Sequence, residues 1–176
     1  VWSVALLFIG LEFFYYWFHR ASHTVRWFWS SHSVHHSPNQ FNFAMAYRLG
    51  WIGRFTGTSI FFTPLVLLGF TPQTVLTALF LNLLYQFWIH TQRIGSLGWF
   101  DRVFGSPSNH RVHHGINDRY IDKNYGGILM LWDHLFGTFE DERADDPVRY
   151  GTRDPVRSWQ PLWINLHTFC SLAKES

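Results

Sequence analysis

At 176 residues, with 47% apolar and 20% aromatic side chains, the chain has room for one domain with a real core. A formal net charge of +2 without a Lys/Arg run excludes a nucleic-acid partner, and the single Cys170 excludes an internal disulfide and a thiolate metal cluster. Ten Trp and eighteen Phe suit either a packed core or a bilayer-facing surface with interfacial rings.

The charges are unevenly placed. The first hundred residues hold five Arg and a single acid, Glu12, a net +4. The chain opens at Val1 without Met, as expected for a piece of a longer chain, and residues 1–18 lack the basic start and cleavage site of a signal peptide. With Glu12 as their one charge, residues 1–18 are expected to span a bilayer, for which ~20 apolar residues are needed.

Residues 55–92 form a 38-residue stretch without Asp, Glu, Lys or Arg. In its middle, Gly69-Phe70-Thr71-Pro72 reads as a helix end, an N-cap and a first helical turn. Two antiparallel transmembrane helices, about 51–69 and 72–93, are therefore expected. Arg20, Arg26, Arg48 and Arg54 precede this hairpin and Arg93 and Arg102 follow it, which puts both open ends on the cytoplasmic side, with Arg48 and Arg54 at the membrane boundary. The less favoured alternative is a soluble protein with an apolar hairpin in its core.

Residues 19–50 and 94–140 then form a cytoplasmic cap, and 141–176 a charged loop followed by an interfacial helix over about 159–172. The expected fold is all-α: a single integral-membrane helical bundle over 1–176, with a histidine-rich di-metal cap. Its expected location is a bacterial inner membrane or the endoplasmic reticulum, multi-pass.

The eleven histidines carry the chemistry. His19 and His23 are four apart; His32, His35 and His36 form one HxxHH cluster, and His110, His113 and His114 form another. Positions i, i+3 and i+4 share one helix face, so each cluster is expected to present its imidazoles together. Eight imidazoles exceed what one ion takes, since a tetrahedral zinc site uses four ligands, whereas two ions sharing eight or nine fit. Imidazole suits zinc, copper, iron and nickel, so ligand type leaves the metal open. C–H oxidation of a lipid beneath a membrane bundle points to iron and dioxygen. The Glu-x-x-His pairs of soluble di-iron proteins and the His-Glu-x-x-His of metalloproteases are both absent.

His90, at the end of the returning helix, is read as a ninth ligand or a structural hydrogen-bonding group. Glu12, Tyr16, His19 and His23 run at steps of four, three and four along one face, so Glu12 is expected to hold an imidazole N–H or pack against Arg or Tyr. Tyr16 and Asp133 are further supporting candidates. His134 and His167 stand alone and are assigned outside the site. Phe13, Phe14, Phe61, Phe62 and Phe87 are candidates to line a substrate path from the bilayer, with ordinary packing the alternative for most.

These clusters resemble the fatty acid hydroxylase / sterol desaturase superfamily, whose mark is HxxxH, HxxHH and a later HxxHH. The look is nearest to the alkylglycerol (glyceryl-ether) monooxygenase branch and its bacterial relatives. It is carried by residues 12–20 (Glu-Phe-Phe-Tyr-Tyr-Trp-Phe-His-Arg), 32–37, Asn42, 84–91, 109–115, 121–127 (Ile-Asp-Lys-Asn-Tyr-Gly-Gly) and 131–140. The resemblance implies a di-iron centre held by His19, His23, His32, His35, His36, His110, His113 and His114. It also implies O2 as co-substrate, a lipid substrate drawn from the membrane, and an external reductant, either tetrahydrobiopterin or an electron-transfer protein. Sterol or carotenoid hydroxylation or desaturation is the alternative within the superfamily. Outside it stand a bis-His haem binder, which needs one His from each of two spans, and a zinc transporter, which needs acids and His within the spans.

Overall fold

The computed structural model describes residues 1–175; the side chains of Arg54 and Glu175 lie outside that description, as does the expected role of Arg54 at a membrane boundary. The first helix, α1 (Trp2–Thr24), is a long Pro-free run whose positions Leu7, Leu11 and Tyr15 recur every four residues. They pack with Phe62, Leu65 and Val75 into the apolar core. Fully burying one such aliphatic side chain stabilises the fold by roughly 1.5–3 kcal/mol. Gly10 lets another segment cross α1 closely: a Cβ there would lie 2.9 Å from Leu65 Cδ2.

Val25 is extended (φ −103°) and breaks the chain direction before α2 (Arg26–His36), which packs back along α1. α3 (Phe43–Ala46) is one turn, capped by the Asn42 side chain accepting from the Ala44 amide at 3.0 Å.

The hairpin forms only in part. Residues 51–69 are not a continuous helix but two 3-10 turns, Gly53–Phe55 and Thr58–Phe62, followed by α4 (Thr63–Leu67). Gly57, at φ +86°, and Pro64 in the first turn of α4 supply the breaks. The turn itself is as read: Gly69 is left-handed (φ +98°), Thr71 caps α5 (Pro72–Trp88) through the Thr74 amide, and Pro72 opens it. At 17 residues α5 rises only about 25 Å, short of a hydrocarbon core of about 30 Å. α1 is longer, but Glu12, Tyr15, Tyr16, His19 and Arg20 dilute its apolar character. None of the expected spans 1–18, 51–69 and 72–93 is therefore met, because no helix among the described residues is long and apolar enough to cross a membrane.

The remaining helices are short. α6 (Trp99–Val103) leads to α7 (Pro107–His113), whose start is a capping box between Ser106 and Asn109 with Pro107 in the first turn. α8 (Leu131–Phe136) ends at the left-handed Gly137 (φ +72°). α9 (Pro161–Glu175) takes the place of the expected interfacial helix and docks on α2, with Ser33 Oγ 3.3 Å from Thr168 Oγ1 and the Trp27 and Phe169 rings 5.4 Å apart. The described residues hold no strand, only two isolated bridges, Phe104–Leu129 and Gly115–Tyr150. The fold is all-helical.

Candidate metal centre

α1 contributes His19 and His23, α2 contributes His32, His35 and His36, and α7 with its C-cap contributes His110, His113 and His114. His90 follows the last turn of α5. All nine converge, in two groups: His19, His23, His32, His36 and His113 in one, and His35, His90, His110 and His114 in the other. Within each group the ligand atoms lie within 4.8 Å of one another. Two nitrogens bound to one ion at ~2.0–2.1 Å lie at most about 4.2 Å apart, so closing a group on an ion takes roughly half an ångström of adjustment.

The partition corrects the expectation that each HxxHH cluster faces one way. Each i, i+4 pair stays together: His19 with His23, His32 with His36, and His110 with His114. The i+3 residue of each cluster crosses over, so that His35 joins the second group and His113 the first. Two adjacent groups are thus interlocked, and the stacked rings of His36 and His114, 4.1 Å between centroids, form part of the boundary.

Tautomers follow from the hydrogen bonds. Nδ1–H donates to a backbone carbonyl in His19 (Tyr125 O, 2.8 Å), His35 (Met45 O, 3.1 Å), His90 (Gln86 O, 2.7 Å) and His113 (Lys123 O, 3.0 Å). In a neutral ring this leaves Nε2 as a bare lone pair. The Nε2 atoms of His35 and His90 then face each other at 3.4 Å with no proton between them. His23 Nε2, His113 Nε2 and His114 Nδ1 are buried without a hydrogen-bond partner. Converging lone pairs of this kind are repulsive and demand a cation, so the donor set fits two metal ions.

Burial, reinforced by neighbouring imidazoles, pushes the His35 imidazole down to about 3. Burial likewise takes His19 to about 4, and His23, His32, His36, His110, His113 and His114 well below the ordinary value. All are therefore neutral near pH 7, the form that ligates metal.

The supporting candidates lie one layer out. Glu12 is fully buried but touches no imidazole: it accepts from Asn82 Nδ2 and from the amides of Ile128 and Leu129, both at 2.8 Å. Asn82 in turn accepts from Gln86 Nε2 at 2.5 Å, and Tyr15 donates to Gln86 Oε1 at 3.0 Å. Asp133 accepts from the amides of Tyr125 (2.8 Å) and Gly126 (2.7 Å) and from the Thr138 hydroxyl (2.7 Å). Tyr16 reaches Thr138 at 3.0 Å and accepts from Arg20 at 3.1 Å. His134 donates to Arg102 O and His167 to Ile164 O, both away from the two groups. Arg48 donates to Val34 O.

The five phenylalanines are engaged in packing. Phe62 is in the core with Phe14 and Phe61 against it, Phe13 meets Trp132 edge-on, and Phe87 stacks on Phe43.

Several contributors escape the motif reading. Asn82, Gln86 and His90 are spaced four apart, a polar line along an otherwise uncharged helix that marks the face turned to the site. Arg111, buried, forms a bidentate pair with Glu142 and donates to Thr91 O and Ile94 O, tying α7 to the chain beyond His90. Phe41, also buried, stacks on His90 at 5.7 Å and borders a cleft of about 720 Å³ that includes Asn39, Gln40, Gln92 and Arg93.

Fold and site together define an all-helical protein with two imidazole cages suited to metal ions. The chain belongs to the fatty acid hydroxylase family, whose model matches residues 4–138, the segment that carries all nine histidines. It is 43% identical over 172 residues to the alkylglycerol monooxygenase of Homo sapiens, covering 97% of this chain and 38% of that protein. The Danio rerio alkylglycerol monooxygenase is 43% identical over 162 residues (92% and 35%), and the ornithine lipid hydroxylase OlsE of Rhizobium tropici 30% over 143 residues (79% and 42%). The chain thus spans less than two fifths of the length of these two alkylglycerol monooxygenases. No solved structure matches it.

Proposed function

We propose that this chain carries the di-iron centre of a membrane-associated lipid hydroxylase that uses O2 and acts on an ether lipid of the alkylglycerol class. The observation that carries the reading is the pair of all-imidazole groups, in which the buried His23 Nε2, His113 Nε2 and His114 Nδ1 have no hydrogen-bond partner. When bound, two iron ions supply the activation of O2 that oxidation of an unactivated C–H bond requires. The overall change consumes R–H, O2, two electrons and two protons and yields R–OH and water. The electrons come from an external reductant, a pterin or an electron-transfer protein. Hydroxylation at a carbon next to the ether oxygen gives a hemiacetal, which opens to an aldehyde and a glycerol.

The chain's own residues orient the ligands and exclude water. Carbonyls of residues 45, 86, 123 and 125 fix four tautomers, and burial keeps the imidazoles neutral. An apolar groove of about 530 Å³ between α1 and α5, lined by residues including Leu7, Leu11, Leu81 and Ile128, fits an alkyl chain. Trp2, Val4, Leu6 and Ile9 of α1 and Leu76, Phe80 and Leu84 of α5 are exposed, an apolar surface that suits contact with a bilayer. Among the relatives, 43% identity to alkylglycerol monooxygenases against 29% to a cholesterol 25-hydroxylase-like protein of Danio rerio favours the ether lipid over a sterol.

The test is turnover of an alkylglycerol by iron-loaded protein in lipid nanodiscs, with O2 and a reduced pterin or an electron-transfer protein. Aldehyde is expected from the native chain, and His35→Ala and His113→Ala should each abolish it. Substantial aldehyde from either variant sinks the ligand assignment; a native chain inert toward alkylglycerol but active on a sterol reassigns the substrate.

A further inference from the structure

The structure assigns a selective role to the loop 121–130, which sets the metal affinity of the five-imidazole group and leaves that of the four-imidazole group alone. The inference rests on the two-ion reading above and adds which residues control which ion.

Two imidazoles take their orientation from this loop. His113 donates to Lys123 O and His19 to Tyr125 O, and both belong to the five-imidazole group. The carbonyls that orient His35 and His90 lie instead at Met45, in α3, and Gln86, in α5. A helical carbonyl is placed by its own hydrogen-bonded turn. A loop carbonyl is placed only by whatever holds the loop.

Around Lys123 and Tyr125 the holding is done by side chains together with one backbone bond, from the Asn124 amide to Thr138 O (2.9 Å). Asn124 is left-handed (φ +56°) and buried; its Nδ2 donates to Asn109 O (3.2 Å) and Glu140 O (2.8 Å), while Oδ1 accepts from the Glu140 amide (2.9 Å). The next two amides, Tyr125 and Gly126, both end on Asp133. No side chain fits at 126, where a Cβ would lie 2.8 Å from Asp133 Oδ2 and 2.4 Å from Leu129 O. Asn124 and Asp133 thus bracket Tyr125 O and sit beside Lys123 O. They are positioning residues, acting through the backbone on two ligands of one ion.

Loss of such an outer partner weakens metal binding by roughly 10–100-fold. The test is anaerobic titration of Fe2+ into metal-free full chain, with the native protein, Asp133→Asn and Asn124→Gly compared at unchanged far-UV circular dichroism. Asn124→Gly keeps the left-handed backbone accessible, so it carries the test if Asp133→Asn does not fold. Both variants should bind one ion with native affinity and the second about 10–100-fold more weakly.

Single-site backgrounds identify the ion. With His110 and His114 both replaced by Ala, which strips the four-imidazole group to two, adding Asn124→Gly should weaken the remaining ion by the same factor. With His23, His32 and His36 all replaced by Ala, which strips the other group to two imidazoles, it should change nothing. Equal weakening of both ions, or none, overturns the selective role. A native chain that takes fewer than two ions overturns the two-ion reading itself, a result visible before any variant is compared.

Discussion

An imidazole that must bind metal has to be neutral and aimed, and both requirements are met here by ordinary means. Burial removes the stabilisation of the imidazolium, and a carbonyl on Nδ1 selects the tautomer with Nε2 free. The same burial makes the metal-free protein sensitive to acid. His19 and His35 titrate at about 4 and about 3 when folded, against 6.5 for the free group. As pH falls through about 6.5 the unfolded chain takes up protons that the folded chain refuses, so stability falls with falling pH and is fully present only above that value. The denaturation midpoint of metal-free protein should therefore drop steadily from about pH 7 to about pH 4.5. A midpoint that is level across that range contradicts the buried, neutral state of the imidazoles.

Among elements, α1, α2 and α7 with its C-cap bring eight of the nine imidazoles together and α5 leads to the ninth, and one carboxylate fastens α1 to α5. Glu12 links α1 to Asn82 on α5 and to two consecutive amides of the loop before α8. Glu12→Gln keeps the shape but swaps an acceptor oxygen for a donor, leaving a buried donor unsatisfied at a cost of about 1–3 kcal/mol. Chemical denaturation should register that loss; an unchanged midpoint would show that the clamp contributes nothing. The start of α5 at Thr71-Pro72 was readable from residue types, because caps and first-turn prolines are local chemistry. The break over residues 51–69 was not, because an uncharged run carries no sign of whether Gly57 adopts a positive φ. Likewise the i, i+3, i+4 spacing shows a shared helix face but not that His35 and His113 reach across to the other group. That crossing depends on how α2 and α7 are set against α1 and α5, a tertiary fact.

At the scale of the molecule, short helices, long polar loops and an apolar surface on α1 and α5 surround two interlocked imidazole groups. The histidines themselves were legible, since HxxxH and HxxHH are rare and chemically explicit. The scaffold that aims them was mostly hidden, because Lys123 and Tyr125 act through carbonyl oxygens that every residue possesses. Asn82 and Gln86 were hidden for a different reason: amides in an uncharged helix resemble filler until their spacing with His90 is noticed. Family membership and likeness to alkylglycerol monooxygenases give these groups a chemical context, and the two-ion count is the claim on which the rest depends. It is tested most directly by the metal content of the purified protein, paired with Mössbauer spectroscopy after isotopic iron enrichment. Two irons per chain with a coupled di-iron signature is the expected result; one zinc per chain, or a folded protein without stoichiometric metal, would contradict it.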